Sequence, residues 1–434
     1  MFLRKLVLIL TAMIVFIQPW GSGAFEMISI GPLGLMSILG ILAFLSALGY
    51  LLFGVQGLGK AAVPMDASVV LLGVFVALHL ASIGWADVPG RVIGSSFTMI
   101  QVFVFVWLLA FLRQEPRGLD TILHAYVLGS TIVAAWFAYE VFVLGTSVSR
   151  VDGFNRDANY TAYTLVVALP MAYYLANRGG FGLLRWLYFA LIPLVIVMVI
   201  FTGSRGNAVA MVAWLAVVSV FFITSRSAPG SRDSRVKVIL GTVALVGVSA
   251  LVVFAFSDLA EHQIQRLMTV TDPMESRFGR RLDIWIAGFE VFLKNMFLGV
   301  GAGGFAAAII PHFEGDVYVF SFIDRSASSH NTYLNIAVTT GVVGLAVFGA
   351  MLFVLVRNAF RANPPEKLLF LSLILVSLIA GISLHLDDRR LFYLALFVQV
   401  AVYSTTRGAR RAASRIETAP SGYRPPDVGD SRAS

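Results

Sequence analysis

Apolar runs of about 17 to 25 residues, the length a helix needs to cross the hydrocarbon core of a bilayer, recur along almost the whole chain. Twelve are legible, at 4–20, 32–54, 68–86, 96–113, 119–143, 160–177, 184–201, 206–224, 236–256, 332–356, 368–386 and 389–405. The interval 257–331 is the long polar break in this pattern. The pattern predicts an all-α, polytopic membrane helix bundle of about 12 transmembrane helices with one long external loop containing short helices. Its parts are transmembrane helices one to nine over 1–256, the loop over 257–331, helices ten to twelve over 332–405, and a tail over 406–434.

Composition agrees. Of 434 residues, 58% are hydrophobic and 13% charged, too apolar for a soluble domain of this length. Arg4 and Lys5 precede the first run as they would in a signal peptide, but there is no clean small-x-small cleavage site and eleven runs follow, so an uncleaved first helix is expected. The absence of cysteine excludes a disulfide framework and a thiolate metal site. The segment RGARRAASRIETAPSGYRPPDVGDSRAS is rich in Arg, Ser, Gly and Pro, and predicts a disordered tail. No repeat of fixed period marks an inverted-repeat transporter.

Charge sets the expected orientation. With both termini in the cytoplasm, 20 of the 32 Lys and Arg residues fall on that side, as the positive-inside rule requires. The other 12 are more informative: Arg91, Arg150, Arg156, Arg205, six basic residues between Arg266 and Arg325, then Arg389 and Arg390, most of them at helix mouths or in the long loop. The net charge of +8 is largely tail and cytoplasmic-loop arginine, which fits topology and contact with anionic membrane lipids. Nucleic-acid binding has no support, since there is no folded basic domain or aromatic RNA motif.

Four polar constellations carry candidate chemistry. FTGSRGN, 201–207, forms a turn before a helix, where free N–H groups and Arg205 make an anion site; a simple turn with an interfacial arginine fits the same residues. SRFGRRLDIWIAGFEVFLKN, 276–295, places Leu282, Trp285, Ile286, Phe289, Phe292 and Leu293 at helical spacing, an amphipathic helix on the membrane face. Arg277, Arg280 and Arg281 crowd its N-terminal end, where the helix dipole disfavours cations unless an anion sits there; lipid headgroups would serve as well. GVGAGGF, 299–305, contains a formal G-x-G-x-x-G but no strand precedes it, so its glycines are read as a tight turn or a close backbone approach, not a dinucleotide loop. In SSHNTYLNIAVTTGVVGLAVFG, 328–349, His330 and Asn331 stand before Thr332, Tyr333 and Asn335 at the mouth of an apolar segment. His330 there is a candidate general base, or an interfacial histidine satisfied by Asn and Ser neighbours. Gly341 and Gly344 would let another helix approach closely. Arg156 and Asn159, in RVDGFNRDANYTAY, add a further external polar cluster. Metal ligation has weak support, as no HxxxH or HExxH spacing occurs.

Taken in order, TGSRG, RLDIW, NMFLGVGAGGF and SHNTYLNIAVTTGVVGLA in a polytopic chain resemble the O-antigen ligase and Wzy polymerase superfamily, over about residues 150–350. The resemblance implies an inverting, metal-independent glycosyltransferase without cofactor, working on the periplasmic face of the bacterial inner membrane. It further implies a donor glycan on undecaprenyl diphosphate and an acceptor hydroxyl on a saccharide, lipid A-core for a ligase or a growing chain for a polymerase. Arg205 and Arg281 then match the diphosphate-binding arginines, with Arg280 an added member because the doubled arginine leaves the register open, and His330 matches the catalytic base. Asn331, Tyr333, Arg156, Asn159 and Arg277 are expected to line the substrate cavity. The ligase is the preferred reading and the polymerase its alternative. A transporter or flippase for an anionic lipid, a different class, would place charges deep within the spans, whereas here they gather at the mouths and in the loop.

Overall fold

A computed structural model describes residues 2–21, 29–30, 33–53, 65–144, 157–178, 182–224, 277–313 and 329–402. The ninth apolar run, the remainder of the long loop and the tail lie outside the described residues, as does Arg156.

The long helices are α1 (Phe2–Ile17), α2 (Leu35–Phe53), α3 (Ala67–Ala81), α4 (Pro89–Phe111), α5 (Gly118–Phe142), α6 (Ala158–Arg178), α7 (Leu183–Phe201) and α8 (Arg205–Thr224). After them come α9 (Arg277–Lys294), the short α10 (Phe305–Ile309), α11 (Thr332–Phe360), α12 (Pro364–Gly381) and α13 (Arg390–Phe397). A two-residue antiparallel pair, Ser29–Ile30 with Leu33–Gly34, leads into α2. Among the described residues, eight helices are long and apolar enough to cross a membrane. They are α1 to α5, α7, α11 and α12, with their flanking turns, so the chain is a multi-pass membrane protein. The helix α6 is as long but more polar, and the apolar part of α8, Arg205–Phe221, is shorter.

Of the last predicted span, 389–405, the described part Arg390–Ala401 is a helix continued by a 3-10 turn, about 18 Å long, and Leu391 to Ala401 are all buried. It packs on α4 and α12 inside the bundle, so its continuous apolarity reflects burial against protein on every side.

Polar contacts sort to two ends of the bundle. At one, Arg4 pairs with Glu115, Arg178 with Asp120, and Asn358 donates to Asp66 at 3.1 Å. At the other lie the start of α6, the TGSRG turn, residues 329–335 and the turn from Ser383 to Arg389 between α12 and α13. The core between them is one continuous cluster, with Trp214, Tyr126, Tyr163 and Phe392 among its largest buried side chains.

The helix α11 is broken. At Gly341 the backbone takes φ 66°, ψ −164°, which ends one helix and starts another across a kink. The break opens the ladder, and the turn after α9 closes it: Val300 and Gly301 N–H groups donate to Val338 and Thr339 carbonyls at 2.9 and 3.0 Å. On the far side, Val342 and Val343 N–H groups donate to Met296 and Phe297 carbonyls at 2.8 and 3.3 Å. Gly341 therefore admits a strand of loop backbone where the sequence suggested a neighbouring helix. The GVGAGGF glycines serve this docking and the packing of the loop on the α3–α4 side, where a Cβ on Gly301 would meet Ala86 at 2.5 Å and one on Gly303 the Arg91 carbonyl at 2.8 Å. Gly299, Gly301 and Gly303 have φ of 67°, 96° and 71°, and a Cβ on Gly299 would stand 2.5 Å from the Thr339 carbonyl carbon.

Candidate active site

His330 is held in a conformation that β-carbon sterics disfavour. Its φ is 45°, and among the described residues it is the one non-glycine with positive φ, a cost of about 1 kcal/mol. Its neighbours fix that shape. Ser329 Oγ donates to the Asn331 carbonyl at 2.8 Å, and the Asn331 N–H donates back to that hydroxyl at 3.2 Å. Asn331 is the N-cap of α11, its Oδ1 accepting from the Tyr333 and Leu334 N–H groups, both at 3.0 Å. From α9, Trp285 Nε1 donates to the Ser329 carbonyl at 2.9 Å. Half-buried His330 is thus held by a strained, over-determined backbone at a helix mouth.

The turn from Ser383 to Asp387 is gripped from two sides. Thr332, the residue that opens α11, donates its hydroxyl to the Leu384 carbonyl at 2.8 Å and accepts from the Leu386 N–H at 2.9 Å. One turn later Asn335 Nδ2 donates to Asp387 Oδ2 at 2.7 Å. On the other side stands the TGSRG turn. Gly203 has φ 63°, and a Cβ on Gly206 would lie 1.9 Å from Ser383 Oγ, so both glycines of the motif are demanded, one by a turn and one by close approach. Arg205, at the first position of α8, and His330 therefore flank the same turn.

The start of α6 completes the mouth. Asp157 Oδ1 accepts from the Asn159 N–H at 2.8 Å, and Asn207 Nδ2 donates to the Asn159 carbonyl and to Ser204 Oγ, both at 2.9 Å. The Tyr160 hydroxyl donates to the His385 carbonyl and accepts from Arg389 Nε at 3.1 Å, with that guanidinium 4.6 Å from its ring centroid.

The position of Arg281 follows from the course of α9. Trp285 meets Ser329, an ideal Cβ on Gly288 would meet Leu334 at 3.1 Å, and Met296 meets Val342, so α9 runs beside α11 in the same direction. Arg281 is one turn before Trp285, about 6 Å further out than the Ser329 contact. Arg280 and Arg277 lie on the same first turns of α9. Helix α9 buries Ile284, Ala287 and Val291, while four of the residues read as its apolar face, Leu282, Ile286, Phe289 and Leu293, are exposed.

Of the remaining expected cavity residues, Asn331 and Tyr333 have internal tasks: Asn331 caps α11, and the Tyr333 hydroxyl donates to the Leu378 carbonyl at 2.6 Å. Asn159 offers its backbone to Asn207. Two cavities meet at this mouth. One of about 750 Å³ is lined by Asp157, Tyr160, Arg389 and Arg390, another of about 330 Å³ by Arg91, Asn335, His385 and Asp387, and both touch Thr98 and Asp388. An apolar groove of about 200 Å³ between α2 and α4 shares Ser37, Gln101 and Arg390 with the larger cavity.

Sequence reasoning passed over Asp387. Burial raises its carboxyl above the ordinary carboxylate range, an effect that His385 partly offsets. His385 Nε2 lies 3.2 Å from Asp387 Oδ1, which has no hydrogen-bond partner among the described residues. The signal was the run HLDDRR, three kinds of ionisable side chain at a predicted helix mouth.

Residues 189–349 match the family model described as O-antigen ligase. No curated protein matches the chain. The matched stretch holds Arg205, Arg281, His330, the break in α11 at Gly341 and the loop docked in it, while Asn159 and Asp387 lie outside. Strained histidine, arginine-bearing helix start and glycine-rich docking loop thus fall within the one stretch that is similar to the O-antigen ligase family, and that match supports a ligase- or polymerase-type function.

Proposed function

We propose that the protein is an O-antigen ligase-like, inverting, metal-independent glycosyltransferase that moves a glycan from undecaprenyl diphosphate to a hydroxyl of a saccharide acceptor, lipid A-core, at the periplasmic face of the inner membrane. The observation that supports this is that the neighbours of Arg205 and His330 meet the same turn, Gly206 at Ser383 and Thr332 at Leu384, while Trp285, one helical turn after Arg281, bonds to Ser329 beside His330.

In this reading His330 accepts the proton of the acceptor hydroxyl as that oxygen attacks the anomeric carbon. The bond from that carbon to the phosphate oxygen breaks from the opposite face, its electron pair leaves on undecaprenyl diphosphate, and the sugar inverts. Arg205 and Arg281, with Arg280 as a further member, stabilise the charge growing on the diphosphate, which fixed guanidinium groups at a low-dielectric boundary do more effectively than water. The positive φ of His330 supports a base held in place before substrate arrives. The groove between α2 and α4, opening into the larger cavity, suits the isoprenoid chain of the donor. Neither of the two cavities depends on charges deep in the spans, as a flippase would.

The test is release of undecaprenyl diphosphate by the purified protein in the presence of donor and lipid A-core. Parent protein should turn over; His330→Ala should bind donor without turnover, and Arg205→Ala or Arg281→Ala should lose both. Turnover by His330→Ala at the parent rate would overturn the assignment. Lengthening of the donor glycan without lipid A-core would make the protein a polymerase, and transbilayer movement of intact donor would make it a flippase.

A further inference from the structure

Where α11 breaks, the chain after α9 docks into the opened helix ladder. An open helix ladder is tolerated in hydrocarbon only if other backbone fills it, because each unsatisfied polar group there costs several kcal/mol. Residues 296–301 fill it with the four hydrogen bonds at Val338, Thr339, Val342 and Val343.

Depth follows from helix length. Counted back from Arg357, the basic residue in the last turn of α11, the roughly 20 residues that span the hydrocarbon end near Val338. Gly341 then lies about one turn inside the boundary, and Met296 and Phe297, hydrogen-bonded to the residues just past it, share that depth. Apart from Lys294 and Asn295, whose Nδ2 donates to the Val291 carbonyl at 3.0 Å, the exposed side chains there are apolar on both elements. Phe297 is 74% exposed, and Leu293, Met296 and Leu298 are exposed beside Val342 and Val343 of the span itself. The exposed polar positions of α9, Asp283 and Glu290, come earlier in the helix, on its outward part. Lys294 is close enough for its long stem to carry the ammonium to the headgroups.

We infer that the C-terminal turn of α9 and residues 295–301 form a re-entrant element embedded in the leaflet at the His330 end, with Leu293, Met296, Phe297 and Leu298 against lipid acyl chains. Lipid contact makes the half-helix Thr332–Thr340, which carries His330 at its mouth, part of an assembly anchored to the bilayer from two sides. This assignment is independent of the reaction proposed above.

The chain contains no cysteine, so single-cysteine variants can be spin-labelled directly. Phe297→Cys, Val343→Cys as the lipid reference and Asp283→Cys as the water reference would be reconstituted in liposomes and their collision rates with oxygen and with a water-soluble nickel chelate compared. The label at 297 should favour oxygen and match the label at 343 within about twofold, while the label at 283 favours the nickel chelate. A label at 297 that behaves like the one at 283 would overturn the inference, and so would low collision rates with both reagents, which would mean that protein covers this face.

Discussion

Gly206 and Ser383 are packed so closely that a β-carbon on the glycine would lie 1.9 Å from the serine hydroxyl and 2.9 Å from its Cβ. The hydroxyl can rotate away but the Cβ cannot, so Gly206→Ala has to push the start of α8 off the turn. We expect a loss of about 1–3 kcal/mol, read as a lower thermal midpoint in detergent, the usual range for overpacking. Adding Ser383→Gly removes both atoms and should restore most of the midpoint. If the double variant is no more stable than Gly206→Ala, the contact is not the source of the loss.

Thr332 joins α11 to the same turn with a single oxygen that donates once and accepts once. Thr332→Val keeps the shape and strands two buried backbone groups, Leu384 C=O and Leu386 N–H, at about 1–3 kcal/mol each. Thr332→Ser keeps the bonds. The valine variant should therefore unfold at lower temperature and release undecaprenyl diphosphate more slowly than the serine variant, because the turn and His330 no longer share a fixed spacing.

The contrast between these residues explains what could be read in the sequence. Arg205 and His330 stand out because a charged or ionisable group beside an apolar run is expensive, and hydropathy alone reveals it. Gly206, Thr332 and Asn335 act through partners 52 to 177 residues away, and nothing in local spacing indicates a tertiary partner. The break at Gly341 was hidden for a different reason. A helix whose ladder is completed by a distant loop has the same apolar pattern as an unbroken one, so only positive φ distinguishes them. The helix Arg390–Ala401 is apolar because it is buried against protein on every side, which its hydropathy alone does not tell.

Asp387 gives a pH signature. Burial raises its folded-state pKa above the ordinary value of 3.8, so the folded protein holds this proton more tightly than the unfolded chain. Its contribution to stability is fully present below that ordinary value and is lost as pH rises toward the raised folded pKa. Asp387→Asn keeps an acceptor for Asn335 and removes the titration. The midpoint of the variant minus that of the parent should be smallest near pH 4 and climb with pH until the parent's carboxyl is fully ionised. A difference that stays flat or falls across this window would mean that Asp387 is not held protonated by burial.

Gly341→Ala tests whether the break in α11 is required. The added Cβ would lie 2.2 Å from the Phe297 carbonyl oxygen and 2.4 Å from its carbon, both backbone atoms, so no side-chain rotation relieves it. The positive φ adds its own cost for alanine, and together these come to about 2–5 kcal/mol. A straight helix is the available escape, since it lets Val342 and Val343 bond back to Val338 and Thr339 and releases residues 296–301. Such a helix would keep its own ladder intact while Val300 and Gly301 lose their acceptors. A short bis-thiol crosslinker should therefore join Phe297→Cys to Val343→Cys in the parent background and fail to do so with Gly341→Ala added, with total helicity nearly unchanged. Undecaprenyl diphosphate release should fall together with the crosslink, because the half-helix below His330 would have turned. If the crosslink forms in both backgrounds, the loop stays docked without the break, and Gly341 is dispensable to the arrangement that holds His330.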